Sequence, residues 1–507
     1  MLQRNNISVI MLMFSGFLLY SCERLWVESE EEWNLPVQES TQIQMLNGIY
    51  YLINEVQNEN YFYLLSRSDD VNIFSYMSDH CQLGECNLEN IIADFYQQIY
   101  RAIIAANKLQ AYVDPLQNPE LYGEVLFLEA YCYFKLSRLF HKPPLIDNYE
   151  VSYSVNYLSR PEIYQKTEEI LKTSLLYLPE SKSEARLPGE SPHVGTANAL
   201  LAELYLSWAG YPLKDEGKYF LAMERAGSVI DHSIEYGFSF VDDYSELWKS
   251  RNGNPELIFG TFFNKNLGIV NRIYPGTLIS QINDTVYDIE TPYVPEFNYF
   301  FNSPDGYRKE LNFRTGNYRR KMQFSPDSNY YIYKLEKVDS SYTYWDFAIS
   351  VFYKKWLQED GYGKDPLNTD QPLVLLRYTQ TRLTWAESKV MINQADDQVI
   401  EVINRIRRRA RKLPVAEPSS FDLPENLSRV ELLQSIRQER AWELCMEPEG
   451  RWFDIVRLEL LDELDKQRNP KDQKVTFDAQ LSPDPYFLKN PIGDKWLTEE
   501  IQNHSEK

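Results

Sequence analysis

The densest group of ionisable residues lies near the C-terminus, where Glu439, Arg440, Glu443, Glu447, Glu449, Arg451, Asp454 and Arg457 crowd one short stretch. Two carboxylates set about 5 to 9.5 Å apart across a sugar, one of them raised in pKa by burial, hydrolyse glycosides. Here each acid has an arginine one helical turn or a short loop away, and a guanidinium that close keeps a carboxylate ionised. The stretch therefore reads as an ion-pair network that holds structure, with a surface glycoside hydrolase as the catalytic alternative. No GxSxG, HExxH, phosphate loop or glycine fingerprint occurs. No catalytic residue, metal ligand or cofactor is expected.

Binding chemistry has better candidates. A sugar offers an apolar face for stacking and a rim of hydroxyls for hydrogen bonds, so loops that set aromatic rings beside polar side chains suit it. Two segments do so. One runs from Ser68 to Asn87; the other is an irregular stretch containing Tyr293, Tyr299, Tyr307, Arg308 and Trp345. The expected ligand contacts are Asp70, Asn72, Phe74, Tyr76, Tyr293, Tyr299 and Trp345. Core packing is the competing use of each ring, and an Asx turn is the competing use of Asp69 and Asp70.

Helices must position these loops. Ala197, Leu200, Leu201, Leu204, Tyr205 and Trp208 recur at the spacing of one buried helical face, as do Ile91, Phe95, Ile99, Ala102 and Ala106. Further helices are predicted near 42–57, 119–140, 161–177, 217–235, 374–395, 397–411 and 428–446. They come as neighbouring pairs with alanines at the close approaches, which predicts a mainly α fold of tetratricopeptide-like hairpins. From 237 to 371 the texture changes to short strands and long loops. A single body over 41–507 is expected: N-terminal helical repeats (41–236), the irregular insertion (237–371) and a C-terminal helical part (372–507).

The N-terminus points outward from the cell. Arg4 precedes an uncharged apolar run, Ile7 to Tyr20, too short for a bilayer core that takes about 20 helical residues. Residues 1–21 read as a signal peptide. Leu19-Tyr20-Ser21-Cys22 has the outline of a lipobox, which makes Cys22 the lipidation site, and 22–40 a lipidated tether with the acidic run Glu28 to Glu32. A net charge of −22 repels nucleic acid. Of five cysteines, Cys81 and Cys86 bracket a small loop that could close as a disulfide, while Cys132 and Cys445 sit in helical patterns as small apolar residues.

The segments MLNGIYYLI, SRSDDV, QIYRAIIAANKL, GEVLFLEAYCYFKLSRLFHKPPLI, TANALLAELYLSWAGYPL, INRIRRRA and, most specific, RQERAWELCMEPEGRWFDIVRL occur in this order. Together they resemble the SusD/RagB family of outer-membrane nutrient-binding lipoproteins. Glu129 stands where the family often has Arg, and His141 where it often has Gly. The resemblance implies a SusD-like fold, ligand contacts near the loop from Ser68 to Asn87, and a SusC-like TonB-dependent barrel as partner. It also implies a lipid-anchored place on the outer-membrane surface and a glycan or oligosaccharide as ligand, with a peptide as the alternative.

Overall fold

The computed structural model describes residues 38–55, 67–70, 72–74, 81–82, 85–86, 89–146, 157–248, 254–264, 279–280, 285–286, 291–293, 305–325, 330–337, 349–353, 372–466 and 484–491. Cys22, Tyr76, Tyr299 and Trp345 lie outside these residues.

The chain is mainly helical. Helices α1 (Glu39–Glu55), α2 (Glu89–Tyr112), α3 (Pro119–Leu139), α4 (Arg160–Ser174), α5 (Val194–Ala209), α6 (Lys218–Asp231) and α7 (Ser233–Tyr236) form the first part. Each of α1 to α6 packs on the next. In α5 nearly every side chain is buried, the mark of a helix enclosed by others and not laid on a surface. Start signals in the sequence are used as such. Ser159 and Glu162 form a capping box at α4, with the Ser159 N–H donating to Glu162 Oε2 at 2.7 Å.

The second part holds α8 (Gly306–Asn312), α9 (Tyr378–Met391), α10 (Asp397–Arg409), α11 (Arg429–Glu443), α12 (Arg451–Leu458) and α13 (Leu461–Lys466). Helix α9 packs on α6 and α5 from the first part and on α10 and α11 from its own. One apolar cluster accordingly reaches from Leu46 to Leu488. The C-terminal segment returns to the end of α3, where Leu488 donates its N–H to Leu139 O at 2.7 Å and His141 donates to Leu488 O at 2.9 Å. At the α5 exit Gly210 touches α12: a Cβ there would stand 2.6 Å from Arg457 Cβ and 2.7 Å from its carbonyl oxygen. Only glycine fits without displacing backbone.

Two elements differ from the sequence reading. The helix predicted from 374 begins at Tyr378, because Leu373–Arg377 is a fully buried strand, β11, paired with β4 (Leu257–Thr261). Its consecutive apolar residues suit a strand covered on both faces as well as a helix, and periodicity cannot separate the two over so short a run. In the insertion, the strands are not all short. Strand β8 (Phe313–Ser325) has 13 residues and pairs with β9 (Tyr330–Lys337) and β10 (Ile349–Tyr353). Gly, Asn and four cations in β8 obscure its strand pattern.

Those strands belong to an antiparallel sheet of seven, in the order β1 (Asn72–Phe74), β7 (Thr291–Tyr293), β10, β8, β9, β6 (Thr285–Val286), β5 (Ile279–Ser280). The edge strand β1 comes from the loop between α1 and α2. A small hairpin, β2 (Cys81–Gln82) with β3 (Glu85–Cys86), follows it.

Candidate functional site

Strand β1 draws two distant segments together. Its register with β7 sets Asn72 opposite Tyr293, Ile73 opposite Pro292 and Phe74 opposite Thr291. On its other side Tyr293 faces Phe352 of β10. Three expected contacts, Asn72, Phe74 and Tyr293, thus share one seam of backbone, although more than two hundred residues separate them in the chain.

The root of β1 is fastened to the C-terminal motif. Arg451 at the start of α12 makes a two-pronged pair with Asp69, Nε to Oδ1 at 2.6 Å and Nη2 to Oδ2 at 2.8 Å. The Met446 N–H donates to Asp70 Oδ2 at 2.7 Å, and the Ser68 hydroxyl donates to Asp70 Oδ1. Arg67 lies over the Trp452 ring at 4.1 Å and donates to Pro485 O at 2.8 Å. Residues 67–70 are all buried. Asp70, expected as a ligand contact, therefore has its carboxylate engaged inside the protein, where it anchors the strand that follows.

Below this anchor the acidic cluster is a buried ion network. Glu443 of α11 accepts from Arg308 Nη1 and Arg409 Nη2, each at 2.7 Å, and pairs with Arg377 Nη1 at 2.9 Å. Arg377 also forks onto Glu447 at 2.7 and 2.9 Å and reaches Glu256 at 3.2 Å. Arg440 joins Asp454 to Glu203, and Arg457 joins Asp454 to Glu387. Glu449 holds Lys135 and Arg138 of α3 and accepts from the Tyr131 hydroxyl at 3.0 Å.

The electrostatics of this cluster suit ion pairing better than acid–base chemistry. Burial by itself raises the Glu256 and Glu449 carboxyls, but Arg409 and Arg377 on the first, and Lys135 and Arg138 on the second, more than offset it and hold both below the ordinary range. Glu387 is held far lower by Arg457 and Arg437, again against burial. Burial pushes the Glu439 carboxyl up, yet Glu439 is 1% exposed and its Oε1 accepts from Arg308 at 2.7 Å. No sugar reaches it. Among the described residues, no group of three or more His, Cys, Asp and Glu is arranged to hold a metal ion, and no helix is long and apolar enough to cross a membrane.

The fold and sequence of this chain match known proteins. A model of the SusD family matches residues 285–487, and a second, described as starch-binding associating with outer membrane, matches 28–206. The chain belongs to the SusD/RagB family. SusD-like protein P2 of Formosa agariphila is 23% identical over 427 residues, 80% of each chain. A SusD homolog from Bacteroides thetaiotaomicron superposes with a TM-score of 0.69 at 20% identity, covering 88% of this chain and 92% of that one. A laminarin-binding SusD-like protein superposes with a TM-score of 0.63 at 19% identity, covering 92% and 98%.

In this SusD/RagB chain several partners of the network escaped the sequence reading. Arg308, taken from sequence as a polar neighbour of the binding rings, is 1% exposed and serves Asp305, Glu439 and Glu443. Glu203, Glu256, Lys135, Arg377 and Glu387 were not singled out at all. A signal was present: Glu203 interrupts ALLAELYLSW, and Lys135 interrupts YCYFKLSRLF. A charge inside an apolar helical stripe requires a buried partner. Glu129, where relatives often carry Arg, is buried and accepts from Gln110 at 2.6 Å.

Two predictions follow from this geometry. Glu443→Gln leaves Arg308, Arg377 and Arg409 with one carboxylate fewer, which is expected to cost about 3 to 5 kcal/mol in urea unfolding; a loss under about 1 kcal/mol, the value of an exposed pair, would sink the structural role given to the network. Burial, then the charge of Asp69, pushes the Asp70 carboxyl up to about 6. Its folded pKa thus exceeds the unfolded value, so its contribution is fully present below about pH 4 and is lost as pH rises through about 6. Between pH 4 and 7 the wild type should lose on the order of 3 kcal/mol relative to Asp70→Asn, and parallel stability curves for the two proteins would contradict this.

Proposed function

We propose that this SusD/RagB protein is a lipid-anchored surface protein that captures a glycan or oligosaccharide and passes it to a SusC-like TonB-dependent barrel transporter without cleaving it. The observation that carries the proposal is the β1–β7 seam. It brings the polar and aromatic positions Asn72, Phe74 and Tyr293 to one place on a frame whose acids Asp69, Glu443 and Glu449 are engaged by cations. Such a place offers positions for stacking and hydrogen bonding, and the described acids beneath it are held in ion pairs and not set as an acid and base for hydrolysis. Tyr76, Tyr299 and Trp345, from the same two segments, complete the proposed contact set; Asp70 supports it from beneath.

The ligand class draws support from a family description that names starch and from a laminarin-binding relative. Outer-membrane association is part of the same family description. The barrel partner rests on family membership, and the anchor rests on the lipobox outline ending at Cys22. Several acyl chains, at about 0.8 kcal/mol per buried methylene, hold a soluble body on a membrane with no spanning helix.

The protein should bind one class among a panel of polysaccharides, oligosaccharides and peptides in affinity electrophoresis and calorimetry, with no product released in the same tubes. A glycan hit is the expected result, a peptide hit would move the chain to the alternative ligand, and turnover would end the capture reading. Tyr293→Ala should weaken that binding by about 1 kcal/mol, the order of one aromatic contact, while leaving the unfolding midpoint in place. For the anchor, Cys22→Ala should abolish incorporation of labelled palmitate and release the protein from outer-membrane fractions; labelling that survives the substitution would refute lipidation at this residue.

A further inference from the structure

The hairpin that follows β1 has a register with a chemical consequence. Strands β2 and β3 set Cys81 opposite Cys86 and Gln82 opposite Glu85. Two residues, Leu83 and Gly84, separate the strands. In a hairpin closed by two residues, the pair flanking the turn is the hydrogen-bonded one, so the next pair outward is not hydrogen-bonded. Cα atoms of such a pair stand about 4.5 Å apart, inside the span of about 4.4 to 6.8 Å that a disulfide bridges. The backbone holds these two positions where the bond needs them.

We propose that Cys81 and Cys86 form a disulfide that clips this hairpin beside β1. Each thiol gives up its proton, and the two electrons pass by thiol–disulfide exchange to an oxidising protein disulfide, which leaves as two thiols. The proposal rests on the exported location argued above, because a reducing cytosol would keep the pair open. The remaining described cysteines do not compete. Cys132 and Cys445 are buried, Cys445 accepts from Asn312 Nδ2 at 3.5 Å, and burial pushes the Cys132 thiol far above its usual range; buried thiols of this kind are poor partners for exchange.

A ring this small removes little chain entropy, so the clip contributes local shape more than global stability. Its place gives it a use. Strand β2 lies against β1, and β1 is the edge strand that carries Asn72 and Phe74 to Tyr293. A closed hairpin fixes β2 beside the edge strand of the sheet.

Peptide mapping tests this directly. No Lys or Arg lies between Ser68 and Tyr100, so trypsin leaves both cysteines in the single peptide Ser68–Arg101. Full-length protein in its membranes is quenched with acid and alkylated without reductant. The expected peptide carries no alkyl group and is two hydrogens lighter than its reduced form. In a second arm, the purified full-length chain is reduced and then equilibrated with glutathione at the poise of a secretory compartment. Closure in both arms supports the disulfide. Closure in the second arm alone supports it and counts instead against the exported location. Alkylation of both cysteines in the second arm overturns it.

Discussion

The carboxylate of Glu443 is a junction on which three parts of this fold meet. It receives Arg308 from the insertion, Arg377 from the end of β11 and Arg409 from the end of α10. Those three cations come from three separate parts of the chain, and each reaches further acids: Asp305 and Glu439, Glu447, and Glu256. Two charges taken from water are favourable only when their geometry is good and their remaining lone pairs and protons are met. The requirement makes the centre unforgiving. An arrangement of the same helices in another register would leave desolvated charges without partners, so the network selects one packing among the many that apolar faces alone would permit.

The same network decides what the upper surface can be. From α11 the chain turns through Met446 and Glu447 into α12, and the motif offers Arg451 and the Met446 N–H to the loop that precedes β1. The loop is thereby held on a base of ion pairs while its continuation enters the insertion's sheet. The edge strand is thereby fastened at its root and paired along its length with a second segment. Under the capture reading proposed above, pre-organisation of that kind lowers the ordering cost of capturing a flexible ligand.

The acids that look catalytic in the sequence are thus the acids least able to act. Catalysis by a carboxyl group needs access to substrate and a pKa close to the working pH. Glu443 and Glu449 are closed off from solvent and matched by two or three cations each. The fold uses its densest charges for specification and leaves recognition to loops, the division expected where a scaffold is shared and ligands differ.

The sequence by itself determined the helices that carry a strong apolar period, such as α5, and the starts that carry a capping box, such as α4. It also indicated that the C-terminal charges form a structural ion network, but within that stretch Asp454 pairs with neighbours, Arg440 and Arg457, while Glu439, Glu443, Glu447 and Glu449 take cations from elsewhere in the chain. Helical period and capping are local, and so they are legible in a linear text. The tertiary structure alone decided that Leu373–Arg377 is a strand, since only a partner such as β4 distinguishes a buried strand from a helical turn. It alone placed Arg308 against Glu443 and set the buried Asp70 carboxylate on the Met446 N–H. Those assignments depend on which desolvated charge meets which, across spans of more than a hundred residues, and no short-range pattern encodes that choice.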